Sequence, residues 1–271
     1  MTPPPAARVV PVRQRRGDAV RETADWVAEE VPVALEYNGL SHAVMLASPA
    51  DLEDFALGFS LTEGIIDAPS DVRDIALVQA DGGIAVRLDI ASGCFARLKD
   101  RRRSLTGRTG CGLCGAESLA QAVRPPAVVR QGLPFDADVV RAALASLRAR
   151  QPLHDASGAA HAAGFASAAG ELLLVREDVG RHNALDKLVG ALAQAGVDAG
   201  AGFVVVTSRA SYEMVGKAAW TGSGLLAAVS GVTALAIDHA QAAGLCLVGF
   251  ARGENLNLYT HPQRVRSPDP V

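Results

Sequence analysis

Several features that define large protein classes are scarce in this sequence. The net charge is −3, whereas a general nucleic-acid-binding protein is strongly basic. No apolar run approaches the roughly 20 residues that a membrane-spanning helix requires. The N-terminal stretch MTPPPAARVVPVRQRRGD also lacks the apolar core of a secretory signal. We therefore expect a protein that binds neither nucleic acid nor membrane.

Cysteine is scarce as well, with four residues in a chain of 271. Cys94 and Cys246 are isolated, whereas Cys111 and Cys114 form a C-x-x-C pair. This arrangement is not a disulfide framework, which favours the reducing cytoplasm as the location. A structural zinc site needs four ligands, and a deaminase zinc site needs the H-x-E and P-C-x-x-C motifs. A second cysteine pair and both motifs are missing, so we predict no zinc.

Apolar residues are abundant, at 49% of the chain, so a large core can form. The pattern changes character along the chain, which divides it into five segments. We predict a disordered tail at 1–25, a small α+β domain at 26–96, a mobile basic and glycine-rich C-x-x-C loop at 97–130, an α/β domain at 131–262 and a second tail at 263–271.

The first domain shows strand patterns and one clear helix. Residues 31–37 alternate between apolar and polar, and Asn38-Gly39 is the pair that a type I′ hairpin favours before a second strand at 43–46. Ser48-Pro49 is predicted to cap a helix that ends near Gly64. A second hairpin is predicted within 75–90.

The second domain alternates short apolar runs with helical patterns, which predicts a sheet covered on both faces with largely parallel pairing. The predicted strands are 162–167, 171–175, 203–207, 225–230 and 245–250, and the predicted helices are 136–150, 184–195, 212–220 and 233–243.

Polar residues cluster where these strands end, and ligands of open α/β sheets bind at the carboxyl ends of strands. Arginines there, together with glycines and helix N-termini, suit a phosphorylated ligand, although each residue alone is equally explained as surface capping. His154 and His161 flank a Ser-Gly turn just before the sheet and are further candidates. The strand-end candidates are Arg181, His182, Asn183, Ser208, Arg209, Lys217, Phe250, Ala251, Arg252 and Gly253.

The C-x-x-C pair permits three interpretations besides zinc. A thioredoxin-like dithiol requires a preceding buried strand, and the basic segment before Cys111 does not resemble one. An activated thiolate is favoured by that basic segment and by a helix predicted to follow, while the surrounding glycines let the backbone bend. Such a cysteine suits a carrier that accepts a group at one place and delivers it at another. An inert surface pair is the remaining alternative.

Taken together, the motifs resemble the formate dehydrogenase accessory sulfurtransferases (FdhD) from about residue 31 to 261. The matching stretches are LEDFALGFSLTEGII, GCGLCG, PLHDASGAAHAA, VREDVGRHNALDKLVG, TSRASYEMVGKAA, LAAVSGVTALAIDHA and LVGFARGENLNLYTH. One departure is Ser157-Gly158-Ala159, where the family usually has Thr-Gly-Gly.

The resemblance implies a sulfur carrier in the cytoplasm that serves formate dehydrogenase. Cys111 would accept persulfide sulfur from a cysteine desulfurase, with Cys114 as the second family cysteine. The sulfur would pass to the bis-molybdopterin guanine dinucleotide form of the molybdenum cofactor. A homodimer with a three-layer, cytidine deaminase-like C-terminal domain is also implied. The implied cofactor segment is Phe250, Ala251, Arg252, Gly253, Glu254 and Asn255.

Two rival functions use the same residues. A cofactor chaperone would hold the guanine dinucleotide without sulfur chemistry and would not need Cys111. A dithiol oxidoreductase would need Cys111 and Cys114 equally.

Overall fold

The computed structural model describes residues 6–105, 125–129 and 132–266. Cys111 and Cys114 lie outside the described residues, as does most of the predicted loop at 97–130. The described chain forms two units, each with its own apolar core. This confirms the prediction of a mixed α/β protein with a smaller N-terminal α+β part, while the cytidine deaminase-like assignment stays a prediction.

The predicted N-terminal tail contains a long hairpin instead. Strand β1 (Ala7–Arg16) pairs antiparallel with β2 (Ala19–Ala28) over their whole length. The prediction of disorder for residues 1–25 is therefore wrong over the described part of that segment. Prolines and arginines are typical of disordered tails, but the β-branched residues here favour strands. Gly17 supplies the left-handed turn that joins the strands (φ 60°).

The N-terminal unit is a four-stranded sheet, in the order β4-β3-β6-β5, with two helices. Asn38 and Gly39 both adopt positive φ, as the predicted type I′ turn requires. The second predicted hairpin also forms. The elements are β3 (Val31–Tyr37), β4 (Leu40–Ala47), α1 (Leu52–Thr62), β5 (Val72–Ala80), β6 (Gly83–Ile90) and α2 (Ser92–Leu105).

Helix α2 occupies the first part of the segment that was predicted to be a loop. Cys94 and Leu98 are buried against the N-terminal core, so the helix has an apolar face that the arginine-rich composition obscured. Arg101 donates to the backbone oxygens of Glu63 and Gly64 at the end of α1, at 3.3 and 2.9 Å. Arg101 therefore stabilises a helix terminus in addition to carrying charge.

The C-terminal unit is a six-stranded sheet in the order β13-β12-β11-β10-β8-β9. The strands are β7 (Phe135–Asp136), β8 (His161–Ser167), β9 (Leu172–Asp178), β10 (Gly202–Val206), β11 (Leu225–Ala228), β12 (Cys246–Arg252), β13 (Asn255–Leu258) and β14 (Val265–Arg266), of which β7 and β14 pair separately. The helices are α3 (Ala137–Arg148), α4 (Pro152–Ser157), α5 (Arg181–Gln194), α6 (Tyr212–Trp220) and α7 (Ala234–Ala243).

The prediction of largely parallel pairing is wrong outside the centre of this sheet. Strands β10, β11 and β12 are parallel, but β8, β9 and β13 each join antiparallel. Tight turns at Gly170 and Gly253, both with positive φ, connect β8 to β9 and β12 to β13 as hairpins. Hairpin connections dictate antiparallel pairing, whereas parallel pairing requires a crossover.

Helices cover both faces of this sheet, as predicted. Val204 and Val206 pack against α5, α6 and α7, whereas Phe203 and Val205 pack against α3. The alternation follows from the two-residue repeat of a strand. The last predicted tail is also partly ordered, because β14 pairs with β7 and Arg264 donates to the backbone oxygen of Gly224 at 2.8 Å.

The two units meet at a tight helix pair, α1 against α5. A methyl group on Gly58 would come within 1.8 Å of the carbonyl oxygen of Asp186, and one on Gly190 within 1.9 Å of that of Asp54. The helix backbones are therefore almost in contact. Ser48, predicted to cap α1, lies before the helix and binds the end of β9 instead, where its amide donates to Asp178 Oδ2 at 3.0 Å.

Candidate functional site

A cleft of about 660 Å³ opens at the edge of the C-terminal sheet where β10, β11 and β12 end. Thr207, Val229 and Ala251 mark those three ends. Parallel strands bring their carboxyl ends to one edge, and β8 runs antiparallel beside β10, so its first residue, His161, lies at the same edge. The short helix α4 adds His154 to the wall of the cleft.

The structure thus brings together five of the predicted site residues. His154, His161, Ala251, Arg252 and Gly253 all line this one cleft, although the first two and the last three lie about 90 positions apart in the chain. A cleft of this size accommodates a small-molecule ligand of about nucleotide dimensions.

Hydrogen bonds from β9 fix α4 and its histidine. The amides of Leu153 and His154 each donate to a carboxylate oxygen of Glu177, at 2.9 Å. Burial raises the pKa of Glu177, and these two amide donors oppose that rise. His154 Nδ1 lies 2.8 Å from the carbonyl oxygen of Ala160, which orients the imidazole ring. The helix start therefore depends on a residue more than 20 positions away.

The surroundings of His161 favour the neutral form of its imidazole. Partial burial lowers its pKa, and the nearby Arg181 guanidinium lowers it further. A neutral imidazole offers one donor and one acceptor to a ligand. An anionic ligand next to this ring would raise the pKa again.

Three arginines line the cleft. Arg141 donates to the backbone oxygen of Glu254 at 2.8 Å and pairs with Asp138, and Arg148 pairs with Asp155. Arg252 is exposed, and no described residue forms an ion pair or a side-chain hydrogen bond with its guanidinium. Guanidinium groups in this arrangement suit phosphate oxygens.

Gln151 is a lining residue that the sequence did not reveal. It precedes α4 at the N-cap position, and its side chain is 1% exposed. Glutamine is not among the residues that normally cap helices, and the Gln-Pro pair ahead of a helical stretch is the signal that could have identified it. The sequence did not identify Arg141 and Arg148, which lie in α3. The periodicity of a helix shows which face is buried, but it does not show that the opposite face borders a cleft.

Other predicted site residues belong to the junction between the units. Asn183 Nδ2 donates to the Leu46 backbone oxygen at 2.8 Å and to Asp178 Oδ1 at 3.0 Å. Lys217 Nζ lies 2.9 Å from Asp186 Oδ1. Both side chains are buried and fully engaged, so we correct their assignment from ligand binding to the junction.

Lys217 remains charged in this setting. Burial alone would lower the pKa of Lys217, but the carboxylates of Asp186 and Glu63 raise it above its ordinary value. A second buried ion pair, Lys187 Nζ to Asp178 Oδ2 at 2.7 Å, lies in the same junction. The sequence shows the charged residues of these two pairs, but it does not show that they pair with each other in the folded chain.

The remaining strand-end candidates do not line the cleft. His182 Nε2 is 2.9 Å from Glu213 Oε2, Arg181 acts on His161 through its charge, and the Ser208 hydroxyl donates to the Arg209 backbone oxygen. Phe250 has a positive φ of 52° and is 41% exposed. Glu254 and Asn255 border a smaller adjacent hollow of about 290 Å³, which shares Arg141 with the cleft.

One group of possible metal ligands occurs among the described residues, and it lies in the N-terminal unit. Asp67, Asp71 and Cys94 have converging ligand atoms, and Arg97 donates to both Asp67 and the Cys94 sulfur. The arginine already serves as the cation for this group. Our expectation that the protein binds no zinc stays a prediction.

Comparison with known proteins identifies related chains over nearly the whole length. The model of the FdhD/NarQ family matches residues 28–266. A protein of Cupriavidus necator named sulfur carrier protein FdhD is 59% identical over 264 residues, which cover 97% of this chain and 91% of that protein. One of the same name from Bordetella petrii is 57% identical over 243 residues, which cover 90% of this chain and 87% of that protein.

A solved structure shares the fold. It is the crystal structure of a Desulfotalea psychrophila protein that is described as a formate dehydrogenase accessory protein. It matches this chain with a TM-score of 0.75 at 23% sequence identity. The match covers 97% of this chain and 100% of that chain. Among the residues of known placement, none of the helices is both long enough and apolar enough to cross a membrane. By the family model and by these identities, the chain belongs to the FdhD/NarQ family.

Proposed function

We propose that this protein is a cytoplasmic sulfur carrier for formate dehydrogenase, with Cys111 as the carrier residue. The observation that carries the proposal is the C-x-x-C pair in a chain whose relatives, at 59% and 57% identity, are named sulfur carrier proteins. The cleft at the sheet edge supports the second half of the proposal, which is that the sulfur acceptor is a bound phosphorylated cofactor.

Loading begins at the thiolate of Cys111. It attacks the outer sulfur of a cysteine desulfurase persulfide, the sulfur–sulfur bond breaks, and the desulfurase cysteine leaves as a thiolate. Cys111 then carries the outer sulfur as a persulfide. This exchange consumes no oxidant or reductant.

The persulfide sulfur can leave Cys111 by two routes, which differ in the use of Cys114. In the first route, the Cys114 thiolate attacks the inner sulfur, hydrosulfide leaves, and a cellular thiol later reduces the resulting Cys111–Cys114 disulfide. In the second route, the outer sulfur passes to the metal of the substrate, which supplies two electrons, and Cys111 returns as a thiolate. Cys114 is dispensable in the second route only.

The acceptor that we propose is the bis-molybdopterin guanine dinucleotide form of the molybdenum cofactor, bound as substrate. Arg252, which forms no ion pair with any described residue, provides positive charge for its pyrophosphates. Arg141 and Arg148 add guanidinium donors, and the His161 imidazole offers hydrogen bonds. The cleft volume suits one nucleotide arm of the molecule rather than two. We also propose a homodimer, which would provide two clefts.

Mass spectrometry tests the carrier chemistry directly. The protein is incubated with a cysteine desulfurase and cysteine, and we expect a gain of one sulfur atom, localised to Cys111. Cys111→Ser should abolish the gain, and Cys246→Ser, which alters a buried cysteine, should preserve it. A gain that survives Cys111→Ser would refute the assignment.

Formate dehydrogenase activity in cells separates the rival functions. The carrier function predicts that Cys111→Ser abolishes the activity. Retained activity would favour a cofactor chaperone, and equal loss with Cys111→Ser and Cys114→Ser, together with turnover by a thioredoxin system, would favour a dithiol oxidoreductase.

A further inference from the structure

Gln151 has a buried side-chain amide that no described residue satisfies. Its side chain is 1% exposed and lines the cleft between α3 and α4. Within the part of the chain that the structure describes, neither its Nε2 nor its Oε1 has a hydrogen-bond partner. Buried polar groups in native proteins are nearly always paired, so this one requires an explanation.

The surroundings do not favour an amide for packing reasons. Leu144, Ala145, Ala160 and Ala251 line the same cleft with apolar atoms. A methionine at position 151 would have almost the same shape and would leave no buried donor or acceptor unsatisfied. The amide therefore costs stability in the free protein, and a ligand that pairs with it would recover that cost.

The chemistry of the amide defines the complementary ligand. A carboxamide presents a donor and an acceptor side by side in one plane. Phosphate oxygens only accept, so a phosphate would satisfy Nε2 and leave Oε1 unpaired. The complement of both atoms is a flat ring edge with an acceptor next to an N–H donor. A cyclic amide, with its carbonyl beside an N–H, presents such an edge, and so does the amidine edge of adenine, which the ADP arm of the ligand series below distinguishes.

We infer that Gln151 is a specificity residue that binds the cyclic amide edge of a heterocycle in this cleft, while the neighbouring arginines hold the phosphates. The inference rests on the proposed function, since the proposed cofactor carries this edge in its guanine rings and in its pterin rings. The shared chemistry is the cyclic amide, and the choice between guanine and pterin is made by the ligand series below.

The test compares the full-length wild-type protein with Gln151→Met by calorimetry. The ligands are GDP, IDP, which keeps the cyclic amide without the 2-amino group, 1-methyl-GDP, which blocks its N–H, ADP and neopterin. Wild type should bind GDP and IDP similarly and 1-methyl-GDP more weakly. A bidentate contact predicts that Gln151→Met weakens GDP and IDP binding about 10- to 100-fold, to the level of 1-methyl-GDP.

Neopterin identifies the ring that Gln151 contacts. If Gln151→Met weakens neopterin binding and leaves GDP binding unchanged, the edge belongs to the pterin and the inference still stands. The inference is overturned if every ligand binds wild type and Gln151→Met with the same affinity. It is also overturned if wild type binds ADP as tightly as GDP and Gln151→Met weakens both equally. If wild type binds none of the five ligands, the proposed cofactor site fails together with the inference, while sulfur loading of Cys111 is judged separately.

Stability provides a second, independent readout. Because the substitution removes two unsatisfied buried atoms, Gln151→Met should raise the urea midpoint in the absence of ligand. The matched control is Gln194→Met, the same change on the exposed surface at the end of α5, which should leave both binding and the midpoint unchanged. A lower midpoint for Gln151→Met would show that the amide stabilises the fold, and would overturn the inference.

Discussion

Substituting Gly58 by alanine should destabilise this protein strongly, although the same change usually stabilises a helix. The added methyl group would lie 1.8 Å from the carbonyl oxygen of Asp186, where an ordinary contact needs at least 3.4 Å. The obstacle is backbone on α5, so no side-chain rotation relieves it, and α1 and α5 must separate. Overpacking of this kind costs about 1–3 kcal/mol or more, and alanine regains only about 0.5–1 kcal/mol of helix propensity.

The separation of α1 and α5 would also disturb the buried ion pairs beside these helices. We therefore expect the free energy of unfolding to fall by about 3 kcal/mol, near the upper end of the overpacking range. For a chain of this size the melting temperature falls by about 2–4 °C per kcal/mol, which gives a decrease of roughly 6–12 °C. Urea unfolding, with the slope against urea concentration held constant, measures the free energy of unfolding. Calorimetry measures the melting temperature. The free energy of unfolding at 25 °C is the primary readout.

Gly93→Ala is the matched control for this substitution. Gly93 lies in α2, and a methyl group there meets no atom within 4 Å. It should leave stability unchanged or raise it slightly. If Gly58→Ala behaves like Gly93→Ala, the near-contact of α1 and α5 is refuted, and with it the tight junction between the two units.

Three further predictions concern titrating and charged groups. Burial raises the pKa of the Cys246 thiol to about 12, so iodoacetamide at pH 8 should modify Cys246 only after unfolding; modification as fast as at Cys111 would contradict its burial. The folded-state pKa of His161 lies below its ordinary value, so the stability due to its neutral form is lost as pH falls from about 6.5 through the folded pKa. His161→Gln should reduce the drop in urea midpoint between pH 7.5 and 5.5, and an identical drop would contradict this assignment. Arg252→Ala should weaken GDP binding about 10- to 100-fold by calorimetry, more at low salt than at high salt. Unchanged affinity, or an equal loss with Arg73→Ala on the exposed face of β5, would reject a phosphate contact at Arg252.

Local sequence patterns predicted much of the fold correctly. The turn at Asn38-Gly39 and the strand at 31–37 follow from residues that are adjacent in sequence, and the structure places them as predicted. The pairing direction of β8 and β13 was wrong because direction depends on which strands become neighbours. The hairpin of β1 and β2 was missed because composition suggested disorder where β-branched residues such as Val9, Val10 and Val12 favoured strands.

The candidate site was only partly predictable for a similar reason. The rule that ligands bind at strand ends located Arg252, and the Ser-Gly turn before the sheet indicated His161, both without structural information. It could not locate Arg148 or Gln151, which reach the cleft from a helix and the turn after it. Their position depends on how α3 packs across the sheet, and the sequence pattern of a helix fixes its buried face but not its neighbours.

The wrongly assigned residues show what separates a stabilising polar group from a ligand-binding one. Lys217 and Gln151 are both buried polar side chains in the C-terminal unit, and in sequence each could belong to a site. The chain supplies Asp186 to Lys217 at 2.9 Å, so the charge is neutralised within the folded protein. For Gln151 the described chain supplies no partner. An unsatisfied buried group lowers stability unless something outside the chain pairs with it. The absence of an internal partner, rather than burial or polarity, is therefore the property that assigns Gln151 to binding and Lys217 to the junction.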